Sequence, residues 1–385
     1  MPGAAQPSRT DTGQLAALGM AAKAHNAVPS HDRKTKLMLV DDSLVIRSII
    51  EQMISQDPRF EIVASVDNGQ KAVNFLRTGS ADVIILDIEM PVMDGLAALP
   101  EILNVAKDAR VLILSSNGEA GGAAAVKALS LGASDTLAKP GRTNFGGKFS
   151  DILLERLRRL GDSQQAVAKA SHYVQALPDH SGESALPMPI QPLKAIAIAA
   201  STGGITAATT ILERITRDFT GPIFFTQHLP DAFIPFFAGQ LRTSLKRDVR
   251  VASDGDVVEN DCIYLAPGDG HLTVVNAAHH GTVMKITNEP ASSGCRPSAD
   301  PMFHSIANVY GAGTCAMLLS GMGNDGLIGA RALAQKSAYI IAQNPESCVV
   351  WGMPGSVVRD GVASAIMVPE AMADFINKWV GGGHD

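Results

Sequence analysis

The chain's 385 residues, 46% hydrophobic and 18% charged, supply material for two or three packed cores and exclude disorder over the whole length. A net charge of −6 makes phosphate-backbone binding a poor main task, so no nucleic-acid partner is expected. No apolar run approaches the ~18 residues that span a bilayer, and the N-terminus, with Asp11 ahead of a short alanine-rich stretch, is not a signal peptide. These features predict a soluble cytoplasmic protein with no membrane insertion.

Residues 1–35 are polar and small and read as a disordered extension. From Lys36 the pattern changes. KLMLV is a short buried strand ending in Asp41 and Asp42, and SLVIRSIIEQMI places Leu44, Ile46, Ile49, Ile50 and Met53 at helical spacing. FEIVASV, DVIILD, RVLILSS and SDTLAKP are further strands, separated by helices near GQKAVNFLR, LAALPEIL and AAVKALSLG. This alternation over 36–140 predicts a doubly wound parallel sheet. Residues 141–192 break it. FSDILLERLRRL is an amphipathic helix over 149–160, and the Ser, Gln and Ala residues after Gly161, followed by four prolines, read as a linker.

Over 193–385 alternation resumes as a second doubly wound, mainly parallel α/β body, with strands at KAIAIAA, PIFFTQ, VRVAS, CIYLAP, TCAMLLS and AYIIAQ. The charge deficit follows this division: residues 36–140 carry −5 and residues 193–385 carry −4. The four cysteines form no C-x-x-C pair and read as reduced, mostly buried thiols.

In the first body Asp41, Asp42, Asp87, Ser115 and Lys139 all stand at strand ends, where a parallel sheet opens its ligand crevice. Three carboxylates gathered there repel one another unless a cation or a lysine is present, and oxygen-only ligands suit Mg²⁺. Taken singly, Asp-Asp is a solvated turn and MPVMDG only a loop signal. Taken together, LVDDS, LDIEMPVMDG, LSS and AKP, with 45 residues from Asp42 to Asp87 and 52 more to Lys139, closely resemble the receiver domain of bacterial response regulators. The resemblance implies a flavodoxin-like receiver fold in which Asp87 is the phosphoacceptor. Asp41, Asp42, Asp87 and the backbone carbonyl of Glu89 would hold Mg²⁺, and Ser115 and Lys139 would contact the phosphoryl group. Thr136 stands where receivers usually carry an aromatic residue, which puts the family's hydroxyl-to-aromatic relay in doubt.

In the second body AIAIAASTGG, FFTQHLP and LLSGMGNDG each run an apolar strand into a small or polar turn. They deliver Ser201, His228 and Asp325, types that form a nucleophile, its base and the group that orients the base. The residues alone leave alternatives open. Ser-Thr-Gly-Gly suits a nucleotide phosphate about as well, although no P-loop lysine follows the glycines. His271 and His304 rival His228, and Asp325 could merely cap the next helix. A non-catalytic, receiver-controlled adaptor is the rival reading. ASTGG, TQHLP, APGDGH, RPSAD, SGMGNDG and AQNPESCVVWGMP resemble the catalytic domain of chemotaxis protein-glutamate methylesterases, the CheB family, over 194–380. That resemblance implies a Ser201–His228–Asp325 triad, an oxyanion met by backbone amides around Thr202 and Met322, and no cofactor for ester hydrolysis. It also implies a chemotaxis histidine kinase as phosphodonor and methyl-accepting receptors as substrate. Their glutamyl methyl esters, and in some members their glutamines, would be hydrolysed. Ala199 for glycine and Ser320 for threonine are its departures.

Overall fold

Short apolar runs become buried strands where helices cover both faces of a parallel sheet, and two such sheets form here. The computed structural model describes residues 33–116, 118–140, 147–175, 187–245, 247–279 and 281–382. Of the expected disordered extension, residues 1–32 lie outside the described residues. Arg33 already pairs with Asp82 at 2.9 Å, and the first strand starts at Thr35.

The first sheet comprises β1 (Thr35–Val40), β2 (Phe60–Val66), β3 (Val83–Asp87), β4 (Arg110–Ser115) and β5 (Asp135–Ala138), all parallel, in the order β2-β1-β3-β4-β5. The helices α1 (Leu44–Ser55), α2 (Gly69–Leu76), α3 (Gly95–Val105) and α4 (Glu119–Ser130) connect the strands. The order reverses between β1 and β3. Val40 pairs with Leu86 and Leu114 with Asp87, so Asp41, Asp87 and Ser115 leave their strands at one level.

The expected helix over 149–160 is longer: α5 spans Lys148–Gln175, and the linker reading of residues 161–175 is corrected. Gly161, taken as a stop, is a close-approach glycine. A Cβ there would lie 2.6 Å from the Thr35 hydroxyl. The first half of α5 buries Phe149, Leu153, Leu157 and Leu160 against Leu37, Leu39 and Ile50 beside the first sheet. The second half lays Val167, Ala170 and Val174 on the core of the other body.

The second sheet has the order β14-β13-β12-β6-β7-β9-β8, with every pairing parallel. Its strands are β6 (Ala195–Ala200), β7 (Ile223–Gln227), β8 (Asp248–Val251), β9 (Cys262–Leu265), β12 (Thr314–Leu318), β13 (Tyr339–Gln343) and β14 (Ala365–Met367). The antiparallel hairpin β10 (His271–Ala277) and β11 (Gly281–Thr287) and the short helix α10 (Met353–Arg359) were not anticipated. The hairpin's strands mix buried and exposed residues without a clean alternation and interrupt the βα grammar. The remaining helices are α6 (Gly204–Arg214), α7 (Ile234–Leu245), α8 (Ala299–Val309), α9 (Leu327–Gln335) and α11 (Pro369–Val380).

One apolar core runs from the first body into the second, joining Ala125 and Leu129 of α4 with Phe233 and Phe237. Gly122 lets α4 approach closely, since a Cβ there would sit 3.0 Å from the Phe236 ring.

Candidate functional sites

The crevice above β1 and β3 collects charge. Carboxylate oxygens of Asp41, Asp42 and Asp87 lie within 4.8 Å of one another, with Asp41 and Asp87 buried and Asp42 exposed. Lys139, one step beyond the end of β5, reaches Asp41 at 2.8 Å and Asp87 at 2.6 Å. Backbone amides of Ser43 and Ile88 donate to Asp41 and Asp87, at 2.9 and 2.8 Å. Burial raises the Asp87 pKa to about 6; Lys139 opposes that rise and the Asp41 charge adds to it. Burial pulls the Lys139 ammonium down, but its two carboxylate partners outweigh this and hold it above the ordinary value.

Ser115 is fully buried beside this cluster, and its hydroxyl has no hydrogen-bond partner among the described residues. An orphaned buried hydroxyl next to an oxygen-only donor set fits a phosphoryl group and a hard divalent cation. Glu89 lies exposed two residues after Asp87, and its side chain accepts from Ser116 at 3.2 Å. Thr136 is buried with its own hydroxyl unpartnered, so the place of the expected aromatic residue is taken by a small side chain.

The second sheet also reverses its order, between β6 and β12, and its registers assemble the other crevice. Leu318 pairs with Ala199 and Ala200 with Gln227, so Ser201 leaves the sheet flanked by Ser320 and His228. Ser201 N–H donates to the Ser320 carbonyl at 3.0 Å, and Gln227 Nε2 donates to the Ser201 carbonyl at 3.0 Å. Gly203 takes φ +75°, and a Cβ on it would lie 2.3 Å from Val349, so only glycine fits this turn. Ser320 holds the turn: its hydroxyl donates to the Thr202 carbonyl at 2.7 Å and accepts from Val349 and Val350 N–H at 3.1 Å.

His228 Nε2 meets Asp325 Oδ2 at 2.8 Å. Asp325 does not cap the helix that follows it: α9 has Gly326 at its N-cap, without a side-chain bond. Its carboxylate instead accepts from Ser298 Oγ at 2.5 Å and Ala299 N–H at 2.7 Å. Burial opposes ionisation of Asp325, yet His228 and these donors hold its pKa at about 2. Burial pulls the His228 pKa down, but Asp325 and the neighbouring Cys295 thiol raise it to about 9. The pair thus favours the charged form of the ring. Among the described residues no hydrogen bond joins Ser201 Oγ to His228; both line one cleft of about 740 Å³, together with Thr202 and Met322. Neither the Thr202 nor the Met322 N–H has a protein acceptor among the described residues.

Of the rival histidines, His304 is exposed on α8. His271 is buried with both ring nitrogens engaged, Nε2 with the Glu289 carbonyl and Nδ1 with Ser298 N–H, each at 2.9 Å. Ser298 and its supporter His271 thus orient Asp325, a role that spacing did not disclose. Also unforeseen is the cleft's far wall, which is α5: Ile152, Arg156, Arg159 and Ala166 line it.

The first body closes another side of the cleft. Asp135 accepts from Thr202 Oγ1 at 3.2 Å and pairs with Arg156 at 2.6 Å. The Ser134 carbonyl accepts from Gly203 N–H at 3.0 Å.

Family models match in two places: "Response regulator receiver domain" over residues 37–145 and "CheB methylesterase" over residues 196–376. Together they define a response regulator whose output domain is an enzyme. The chain is 37% identical over 364 residues to protein-glutamate methylesterase/protein-glutamine glutaminase 1 of Rhodospirillum rubrum, covering 89% of this chain and 94% of that protein. It is 37% identical over 343 residues to the Caulobacter vibrioides protein-glutamate methylesterase/protein-glutamine glutaminase 2, covering 89% and 97%. The crystal structure of the Thermotoga maritima CheB methylesterase catalytic domain superposes with a TM-score of 0.46 at 30% identity, over 50% of this chain and 99% of that one. The chain belongs to the receiver-linked protein-glutamate methylesterase/protein-glutamine glutaminase family. No helix among the described residues is long and apolar enough to cross a membrane.

Proposed function

We propose that the chain is a cytoplasmic carboxylic ester hydrolase, activated by phosphorylation. It would remove methyl esters from glutamate side chains of methyl-accepting chemotaxis receptors and deamidate receptor glutamines by the same route. One observation carries the reading: one sheet brings Ser201 and His228 to a single cleft, with Asp325 bonded to the His228 ring and Asp135 of the first body on the cleft wall.

In this reading a neutral His228 takes the Ser201 proton as Oγ attacks the ester carbonyl. Thr202 and Met322 N–H groups meet the developing oxyanion. His228 returns the proton to the departing methanol, then activates the water that cleaves the acyl-serine. Asp325, locked by Ser298 and Ala299, keeps the ring oriented.

In this reading the unphosphorylated chain is held back in two ways: the receiver covers the nucleophile's turn, and the Asp325 carboxylate favours the protonated, non-basic form of His228. Asp87 accepts the phosphoryl group from a chemotaxis histidine kinase. Asp41, Asp42, Asp87 and the Glu89 carbonyl would hold Mg²⁺, which when bound neutralises phosphoryl charge. Lys139 would then exchange a carboxylate for the phosphoryl oxygens, and Ser115 would donate its free hydroxyl. Repacking of β5 and α4 moves Asp135 off Thr202.

Methanol release from a methylated receptor fragment tests the reading. It should rise with a small-molecule phosphodonor and vanish in Ser201→Ala. Unchanged release in that variant would remove the triad assignment, and a phosphodonor response surviving in Asp87→Ala would remove the receiver assignment.

A further inference from the structure

One thiol stands apart from the others. Cys262, Cys315 and Cys348 are buried, whereas Cys295 is partly exposed and lines the cleft that holds Ser201 and His228. One ligand atom from each of His228, Cys295 and Asp325 lies within 4.8 Å of the other two. An imidazole, a thiol and a carboxylate form the mixed donor set of zinc sites and differ in kind from the oxygen-only cluster at Asp87.

We propose that His228, Cys295 and Asp325 form a binding site for Zn²⁺ that switches the hydrolase off, with water in the fourth position. The effect on hydrolysis rests on the triad reading above; the metal site itself does not.

The geometry is close to what the ion needs. Zn–N distances of about 2.0–2.1 Å and Zn–S of about 2.3 Å put tetrahedral donors roughly 3.3–3.6 Å apart. His228 and Asp325 are now 2.8 Å apart, so that pair opens by under about 1 Å while the Cys295 side chain swings inward. The carboxylate is already an anion held by Ser298 and Ala299, which makes it a fixed ligand with its supporting donors in place. On binding, the thiol releases its proton and the imidazole binds in its neutral form, and thiolate plus carboxylate balance the two positive charges. The cleft opens to solvent and supplies the entry path. With zinc on the ring nitrogen, His228 no longer pairs with Asp325 and cannot serve as base. Mg²⁺, which prefers oxygen, discriminates between the two clusters and leaves this one empty.

The test uses the full chain and zinc chloride. The expected result is one Zn²⁺ bound per chain, an affinity at least tenfold weaker in Cys295→Ser, and a sulfur-to-metal charge-transfer band with Co²⁺ that Cys295→Ser loses. Methanol release should fall in step with zinc occupancy, recover with chelator, be indifferent to Mg²⁺ at the same concentration, and be at least tenfold less zinc-sensitive in Cys295→Ser. Equal zinc affinity in the two proteins, or no cobalt–thiolate band, would overturn the site. Absence of hydrolysis without zinc would instead count against the esterase reading, and the affinity and the band would still decide the site.

Discussion

The crevice above β1 and β3 and the crevice above β6 and β12 both open where strand order reverses, yet they are filled in opposite ways. The first gathers Asp41, Asp42 and Asp87 around the single ammonium of Lys139, leaving an excess of negative charge. The second sets one buried carboxylate, Asp325, against one imidazole ring, His228. The same topology therefore serves two chemistries. A crevice with surplus carboxylate is completed by gaining cationic charge, whereas a carboxylate–imidazole pair serves as a base only with the ring neutral. The regulatory logic of the chain follows from joining them through β5 and α4, whose far ends touch Thr202, Gly203 and α7.

The sharpest way to break this comparison is Ser201→Ala. It should lower methanol release by about 10⁶-fold, in line with removal of a triad nucleophile, while Asp87 still takes up phosphoryl from a small-molecule donor, read as a mass increase. Loss of phosphorylation as well would mean that the crevices are not chemically separate.

The second measurement is a pH–rate profile of the unphosphorylated chain. His228 must be neutral to act and its pKa is raised to about 9, so methanol release should climb about 50-fold between pH 7 and 9. The sign for stability is opposite. The His228–Asp325 attraction is fully present below the ordinary histidine value and is lost as pH rises through about 9. A flat profile over that range would remove the protonated resting state.

Asp87→Asn sharpens the contrast from the other side. The phosphodonor response should disappear. The raised Asp87 pKa of about 6 means that its contribution to stability is present below the ordinary carboxylate value and lost as pH rises through 6. At pH 7 the amide should therefore raise Tm by about 2–4 °C, measured by thermal denaturation. The smallest effect is expected from Asp135→Ala, which removes the Thr202 and Arg156 contacts. Basal hydrolysis should rise only about two- to fivefold, since partly exposed polar pairs contribute about 0.5–1 kcal/mol.

Much of this was legible in the residues. A strand buried on both faces is written as an unbroken apolar run, so KLMLV and AIAIAA announce their own ends, and the polar residues that follow must line a crevice. What lay beyond reading depends on distant pairs. Ser298 serves Asp325 from 27 residues away, and Asp135 meets Thr202 across 67. Neither stands at a strand end in the second sheet, so periodicity does not mark them. Gly161 misled because a glycine that ends a helix and a glycine that admits a neighbouring strand are the same letter. Only the Thr35 side chain beneath it tells them apart.

That uninterrupted helix also carries a rotational setting. Each residue of α5 advances the next by about 100° and 1.5 Å, so the face that seats Leu153 and Leu157 fixes the angle at which Val167, Ala170 and Val174 meet the other body. One residue added between the two patches would turn the second away from its seat and swing its polar side inward. Seven added residues would bring it back to within about 20° but displace it by two turns. The length of α5 between its two seats is therefore itself a specified quantity, as constrained as any side chain in either crevice.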